Sequence, residues 1–209
     1  MEKQRTPPDL APTAGANRSK PAATDEFWWE DVTRQGLTTK VLNTIVVWQV
    51  NLLSSVLPND RISQQVRAKL FGLLGAQVGR RVRLGQGIFV NHRHLHLLSI
   101  GDRSFVNCGG FLDLNGPITI GRHVAIGPSV SLITCTHAMG PASQRAGRMV
   151  IAPIRIGDGV WIGCRVVILP GVNIGRGSVI ASGSVVSDDV PENSLAGGIP
   201  AGVIEHLGT

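Results

Sequence analysis

Apolar residues fall into a six-residue frame along most of this chain. Ile156, Ile162, Ile168, Ile174, Ile180 and Val186 recur every six positions, and Val160, Val166, Val172, Ser178, Ser184 and Val190 follow them at an offset of four. The same frame holds Ile120, Ile126 and Leu132, then Ile100, Val106 and Leu112, then Val78, Leu84 and Val90. Residues two apart on a strand share a face, so pairs such as Val160 with Ile162 predict short strands with two inward aliphatics. Each hexad adds a turn containing Gly or Pro, and three hexads close one triangular coil. Stacked coils lie about 4.8 Å apart, the ordinary strand spacing. A sustained short period of this kind predicts a solenoid over 76–209.

The frame is preceded by a different rhythm. Val41, Ile45, Trp48, Leu52 and Val56 recur at helical spacing, with Asn43, Asn51 and Ser54 as a polar stripe. This predicts an amphipathic helix over 40–57, packed through its apolar face on its own protein or a sister subunit. Pro58 stops it. Asn59 or Asp60 caps a second helix with Ile62, Val66, Leu70 and Leu73 as its apolar face, and Gly75 ends that one. The helical region so defined is 26–75. The hexad frame breaks once, over 138–153, which predicts a loop extruded from the coil.

Composition sharpens this picture at four points. Of 26 glycines, 24 lie after Phe71, and there is no Tyr; a core of stacked small aliphatics explains both. Residues 1–25 mix Pro, Ala, Thr and charge without periodicity and read as a disordered tail, followed by Phe27, Trp28 and Trp29. Cys108, Cys135 and Cys164 form no C-x-x-C, so zinc-knuckle and redox motifs are excluded and reduced thiols are expected. No apolar leader is visible, and the 40–57 helix is too polar to span a bilayer, so a cytoplasmic protein is expected, with peripheral membrane contact through that helix as a secondary reading. The net charge of +6 is uneven: residues 61–155 hold 12 basic and 2 acidic residues. That asymmetry points to an anionic coenzyme or acceptor. No nucleic-acid motif or stacking platform accompanies it.

The segment "IGDGVWIGCRVVILPGVNIGRGSVIASGSVVSDDVPENSLAGGIPAGVI" resembles the hexapeptide-repeat acyltransferases, specifically the maltose, galactoside and nodulation-factor O-acetyltransferase group. The resemblance covers Gly75 to the C-terminus. It implies an all-β, left-handed parallel β-helix behind an N-terminal α-helical region; periodicity alone does not set the hand. It also implies acetyl-CoA as acyl donor, no metal, and a homotrimer with sites between subunits.

His137 stands at the root of the extruded segment, in "TCTH". Thr136 occupies an inward position of the frame, so His137 points outward, where a neutral imidazole can take a proton from a hydroxyl or amine. The resemblance makes it the general base. Asn107 follows inward Val106 and lies 30 residues before His137; the resemblance gives it contact with acceptor or transition state, and Asp113 and Asn115 are read as acceptor contacts. Trp161 lies outward between Val160 and Ile162, as a subunit contact or a ligand wall. The resemblance favours a wall of the coenzyme channel, and extends that channel to Cys164, Ser182 and Ser187. Cys164 is read as a small contact, because no paired base makes it a nucleophile. The chain departs from the family pattern at Gly202 and Glu205, where basic residues often meet coenzyme phosphates; His206 is one replacement. His92, His94 and His96 alternate and would share one strand face, but they match no ligand pattern and read as a polar surface. The leading function is acetyl transfer to a sugar hydroxyl. Its rivals are N-acetylation of an amino-sugar or antibiotic amine, and a non-catalytic scaffold.

Overall fold

The computed structural model describes residues 37–91 and 94–208. The tail predicted over 1–25, the Phe27–Trp29 cluster and His92 lie outside the described residues. The hexad strands wind as a left-handed parallel β-helix with three faces. The first face stacks Gln77–Val78, Leu98–Ile100, Ile118–Ile120, Ile154–Ile156 and Asn173–Ile174. The second stacks Arg83–Leu84, Phe105–Val106, Ala125–Ile126, Trp161–Ile162, Val179–Ile180 and Ser194–Gly198, and Ala201–His206 turns back antiparallel to close it. The third stacks Phe89–Val90, Phe111–Leu112, Ser131–Leu132, Val167–Ile168 and Val185–Val186.

Register puts like on like. Ile100, Ile120, Ile156 and Ile174 form one inward ladder, Val106, Ile126, Ile162 and Ile180 a second, and Leu112, Leu132, Ile168 and Val186 a third. All are buried. Aliphatics of one size stack at the strand spacing without gaps, and a large ring would break the ladder.

Gly121 shows why glycine follows a frame aliphatic. A Cβ there would lie 2.7 Å from the Asp158 nitrogen and 2.8 Å from the Gly157 carbonyl carbon of the next coil. Close approach of stacked turns therefore selects the residue. The corner after the first face also carries an exposed charge ladder. Arg80 pairs with Asp102, Arg122 with Asp158, and Arg176 with Glu192.

Two helices cover the open first coil. Helix α1 spans Leu37–Val56 and α2 spans Arg61–Leu73. Asp60 caps α2, accepting from the Ile62 and Ser63 nitrogens. Within one chain, the apolar residues expected to pack are largely outward on both helices. Ile45, Trp48, Leu52, Val56, Ile62, Val66 and Leu73 are exposed, whereas Val50 and Ser54 of α1 and Gln64, Arg67, Ala68 and Phe71 of α2 face inward. The physical reason is the surface they meet. A first coil has no coil before it, so its strands present unpaired N–H and C=O groups, which only polar partners satisfy. Asn51 bonds both the carbonyl and the amide nitrogen of Val90 at 2.9 Å. The Gly87 nitrogen donates to the Ser54 carbonyl at 3.0 Å. Asn51 thus faces the coil beside buried Val50, while Ile45, Trp48, Leu52 and Val56 face out.

One further expectation needs correction. His94 precedes a 3₁₀ turn, Leu95–Leu97, so His94 and His96 do not alternate along a strand. Among the described residues no three His, Cys, Asp or Glu side chains are placed to hold a metal. No helix among them is long and apolar enough to cross a membrane.

Candidate functional site

The break in the hexad frame is a two-stranded arm. Cys135–Met139 pairs antiparallel with Ala146–Ile151, and His137 lies opposite Met149. Frame position does not orient this arm. Thr134, not Thr136, is the inward residue, and Thr136 is exposed, because the chain leaves the coil after Leu132. His137 is exposed nonetheless. Its Nδ1–H donates to the Gly147 carbonyl across the arm at 2.8 Å. A carbonyl only accepts, so this bond puts the proton on Nδ1 and the basic lone pair on Nε2.

Asp113 anchors the arm. It is 2% exposed. Its carboxylate accepts from the side chains of Asn91 and Asn115, and from the backbone nitrogens of Thr134 and Cys135 at 3.0 Å. Thr134 donates in turn to the Asp113 carbonyl at 2.6 Å, and its own carbonyl accepts from Ala152 at the arm's other end. Burial pushes the Asp113 carboxyl up, but the bonds from Asn91, Asn115, Cys135 and Thr134 outweigh it and hold the group below the ordinary carboxylate value. The same surroundings, burial first and then the Asp113 charge, push the Cys135 thiol up to about 11. Cys135 is thus no thiolate nucleophile at neutral pH.

These contacts carry a prediction. Asp113→Ala leaves several buried N–H groups without acceptors and is expected to cost about 2–4 kcal/mol, felt first as fraying of the arm. The depressed carboxyl stabilises fully above the unfolded value near pH 4, and that contribution is lost as pH falls through the folded value. The gap between wild type and variant should therefore begin to narrow below about pH 4 and go on narrowing as pH falls through the folded value. Thermal melts at pH 7 and pH 3.5, with hydrogen exchange across 134–152, check both parts.

The predicted site residues separate onto two corners. Asn107, Cys164 and Ser182 share the corner after the second face: the Asn107 nitrogen donates to Ile126 at 2.9 Å, and the Cys164 nitrogen donates to Ser182 Oγ at 3.1 Å. Asn107 Oδ1 accepts from the Cys108 nitrogen at 2.8 Å, leaving its amide N–H groups as donors. Trp161, 60% exposed, stands on the second face in register with Ala125 and Val179. Asp113, Asn115 and the His137 arm lie at the corner after the third face. Ser187 lies there too, donating to Asp188 at 2.8 Å, and not beside Ser182. Gly202 and Glu205 lie on the closing hairpin, where His206 Nδ1 is 3.2 Å from Ser194 Oγ.

Sequence reasoning missed a basic cleft. Arg61, Gln65, Arg81, Arg83 and Arg103 line it, between the start of α2 and the second face. The frame contains its signal, since Arg81 and Arg103 occupy the same corner position three residues after Val78 and Ile100.

Comparison with known proteins bears on all of this. A family model described as bacterial transferase hexapeptide (six repeats) matches residues 153–188. The chain is 32% identical to a hexapeptide-repeat containing acetyltransferase of Vibrio cholerae, solved with acetyl coenzyme A; the match covers 84% of this chain and 93% of that one, with a TM-score of 0.69. It is 28% identical to a maltose O-acetyltransferase of Clostridium difficile, covering 83% and 90% at a TM-score of 0.72. A galactoside O-acetyltransferase of Escherichia coli is 46% identical over 90 residues, 43% of this chain and 44% of that protein. The chain spans about half the length of the curated relatives it matches.

Proposed function

The chain belongs to the hexapeptide-repeat acetyltransferases, and from that premise we propose that it moves an acetyl group from acetyl-CoA to a hydroxyl of a sugar or sugar-containing acceptor. The observation that carries this reading is the His137–Gly147 bond, which holds the ring through Nδ1 on a braced, exposed arm and makes Nε2 the nitrogen for proton transfer.

The chemistry then follows from named groups. His137 Nε2 takes the acceptor's hydroxyl proton as the oxygen bonds to the thioester carbonyl carbon. The amide N–H groups of Asn107 or backbone N–H groups face the oxyanion that results. Its collapse breaks the carbon–sulfur bond, and the imidazolium returns the proton to the departing thiolate. Trp161, Cys164 and Ser182 line the donor's channel. Asn115 is the acceptor contact, and Asp113 holds the arm from beneath.

One chain holds these groups on two corners, so one copy completes the site with another. The third face between those corners carries outward Phe89, 48% exposed and stacked on Phe111 with centroids 5.8 Å apart, followed by Ser131, Val167 and Val185. An apolar stripe of this kind suits a subunit contact, and a homotrimer places the arm of one copy against the Trp161 corner of the next. A thiol-release assay with acetyl-CoA and a panel of sugars tests the reading, with mass spectrometry of the product to separate ester from amide. Acetyl esters are the expected product. Tight donor binding with no thiol release from any hydroxyl acceptor overturns it.

A further inference from the structure

The basic cleft is not used by the chemistry above. We infer that it binds a phosphate group on the acceptor, so that the preferred substrate is a phosphorylated saccharide. This inference rests on the acetyltransferase reading.

Three observations converge. First, the cleft is lined by four arginines and one glutamine, and among the described residues no carboxylate forms a salt bridge with Arg61, Arg81, Arg83 or Arg103. The two nearby acids are committed elsewhere. Asp60 caps α2, and Asp102 is bonded by both the backbone and the guanidinium of Arg80, with Arg103 adding only its field. Planar guanidinium forks present paired donors that match phosphate oxygens.

Second, the cleft adjoins Asn107, the proposed oxyanion donor, which the acceptor's attacking hydroxyl must approach. Arg83 is in register with Phe105 on the second face, and its guanidinium lies 4.5 Å from that ring's centroid. Asn107 is two residues beyond Phe105. One strand spacing and two residues of rise put the Arg83 and Asn107 backbones about 8 Å apart. A sugar ring spans that distance, with its hydroxyl near Asn107 and a phosphate at the arginines.

Third, the arginines occupy positions that the fold fills more cheaply with other residues. Arg81 and Arg103 have φ of 59° and 60°, in the left-handed region. The next coil places His123 at this corner position, with φ of 57°, and later coils place Gly159, Gly177 and Asn193 there. Side chains other than Gly and Asn are disfavoured there, so Arg81 and Arg103, like His123, sit at a backbone cost, and the two arginines alone of this corner line the cleft.

The test compares the full chain with an Arg81→Asn/Arg103→Asn variant, asparagine being at ease in the left-handed region. Thiol release is measured with a hexose, its 1-phosphate and the corresponding uridine diphosphate sugar, and inorganic pyrophosphate serves as a competitor. In wild type, kcat/KM for a phosphorylated sugar is expected to exceed that for the hexose at least tenfold, with pyrophosphate competing against the acceptor. The variant should collapse that ratio toward one. The two phosphorylated sugars tell a terminal phosphate from a bridging one. Equal use of hexose and sugar phosphate by wild type overturns the inference and leaves acetyl transfer standing. A matching rise in the KM for acetyl-CoA also overturns it, because the cluster would then serve the coenzyme's phosphates. Pyrophosphate binding with no thiol release from any acceptor overturns the acetyltransferase reading instead.

Discussion

His137→Ala is expected to slow acetyl transfer about 10²–10⁴-fold, the usual contribution of a positioned general base. Folding should change by less than about 0.5 kcal/mol, because the side chain is exposed on an arm whose root is secured elsewhere. The measurement is thiol release at saturating donor and acceptor, with a thermal melt of the same preparation. His137→Asn refines it. Its amide can still donate to the Gly147 carbonyl, as Nδ1 does, but it carries no basic nitrogen. Both variants should be equally slow if the imidazole is the base. A folded alanine variant retaining a tenth or more of wild-type turnover sinks the role. Recovery of activity by asparagine assigns His137 to positioning.

Arg67→Ala is expected to have the largest effect on stability, about 3–5 kcal/mol, measured by denaturant unfolding. Arg67 is 1% exposed and makes no salt bridge among the described residues. Its guanidinium spans four backbone carbonyls: Ser54 at 3.2 Å, Leu84 at 2.8 Å, Leu57 at 2.7 Å and Pro58 at 2.6 Å. It thus ties the end of α1, the turn and the first coil to α2. Burial lowers its pKa from the usual guanidinium value, offset by the Asp60 charge. Removing it takes this donor from the Leu57, Pro58 and Leu84 carbonyls at once, while Ser54 keeps the Gly87 nitrogen. Arg67→Lys should recover only part of the loss, because one ammonium cannot reach all four. A cost under 1 kcal/mol for the alanine variant would show that the helices do not depend on this joint.

These two residues also mark the limits of the one-dimensional pattern. His137 was legible because the hexad frame stops beside it, and its resemblance to a known base did the rest. The bond that sets its tautomer was not, since Gly147 is ten residues away and faces it only once the arm pairs. Arg67 was hidden by a convention. Helical periodicity identifies an apolar face and assumes that face is inward. Here the surface to be covered is a row of unpaired backbone groups, so Asn51 and Arg67 turn in while Trp48 and Ile62 turn out. Asp113 was legible as a polar residue near the site. Its burial, and its place under the arm instead of in the open, depend on Asn91, Thr134 and Cys135 arriving from neighbouring coils.

The solenoid itself was written locally. Two inward aliphatics per hexad and a small residue at each close approach specify a strand, a corner and a stack, because every contact repeats at one coil's distance. That is why the ladders from Ile100 to Ile174 and from Val106 to Ile180 could be read from spacing alone. Tertiary structure decided what does not repeat: which helix face meets the open coil, how the arm holds His137, and the division of Asn107, Cys164 and Ser182 from Asp113, Ser187 and the arm. It also gathered Arg61, Arg81, Arg83 and Arg103 into one cleft. Those outcomes turn on partners brought together from outside the repeat, and a period of six does not fix them beyond the shared corner of Arg81 and Arg103.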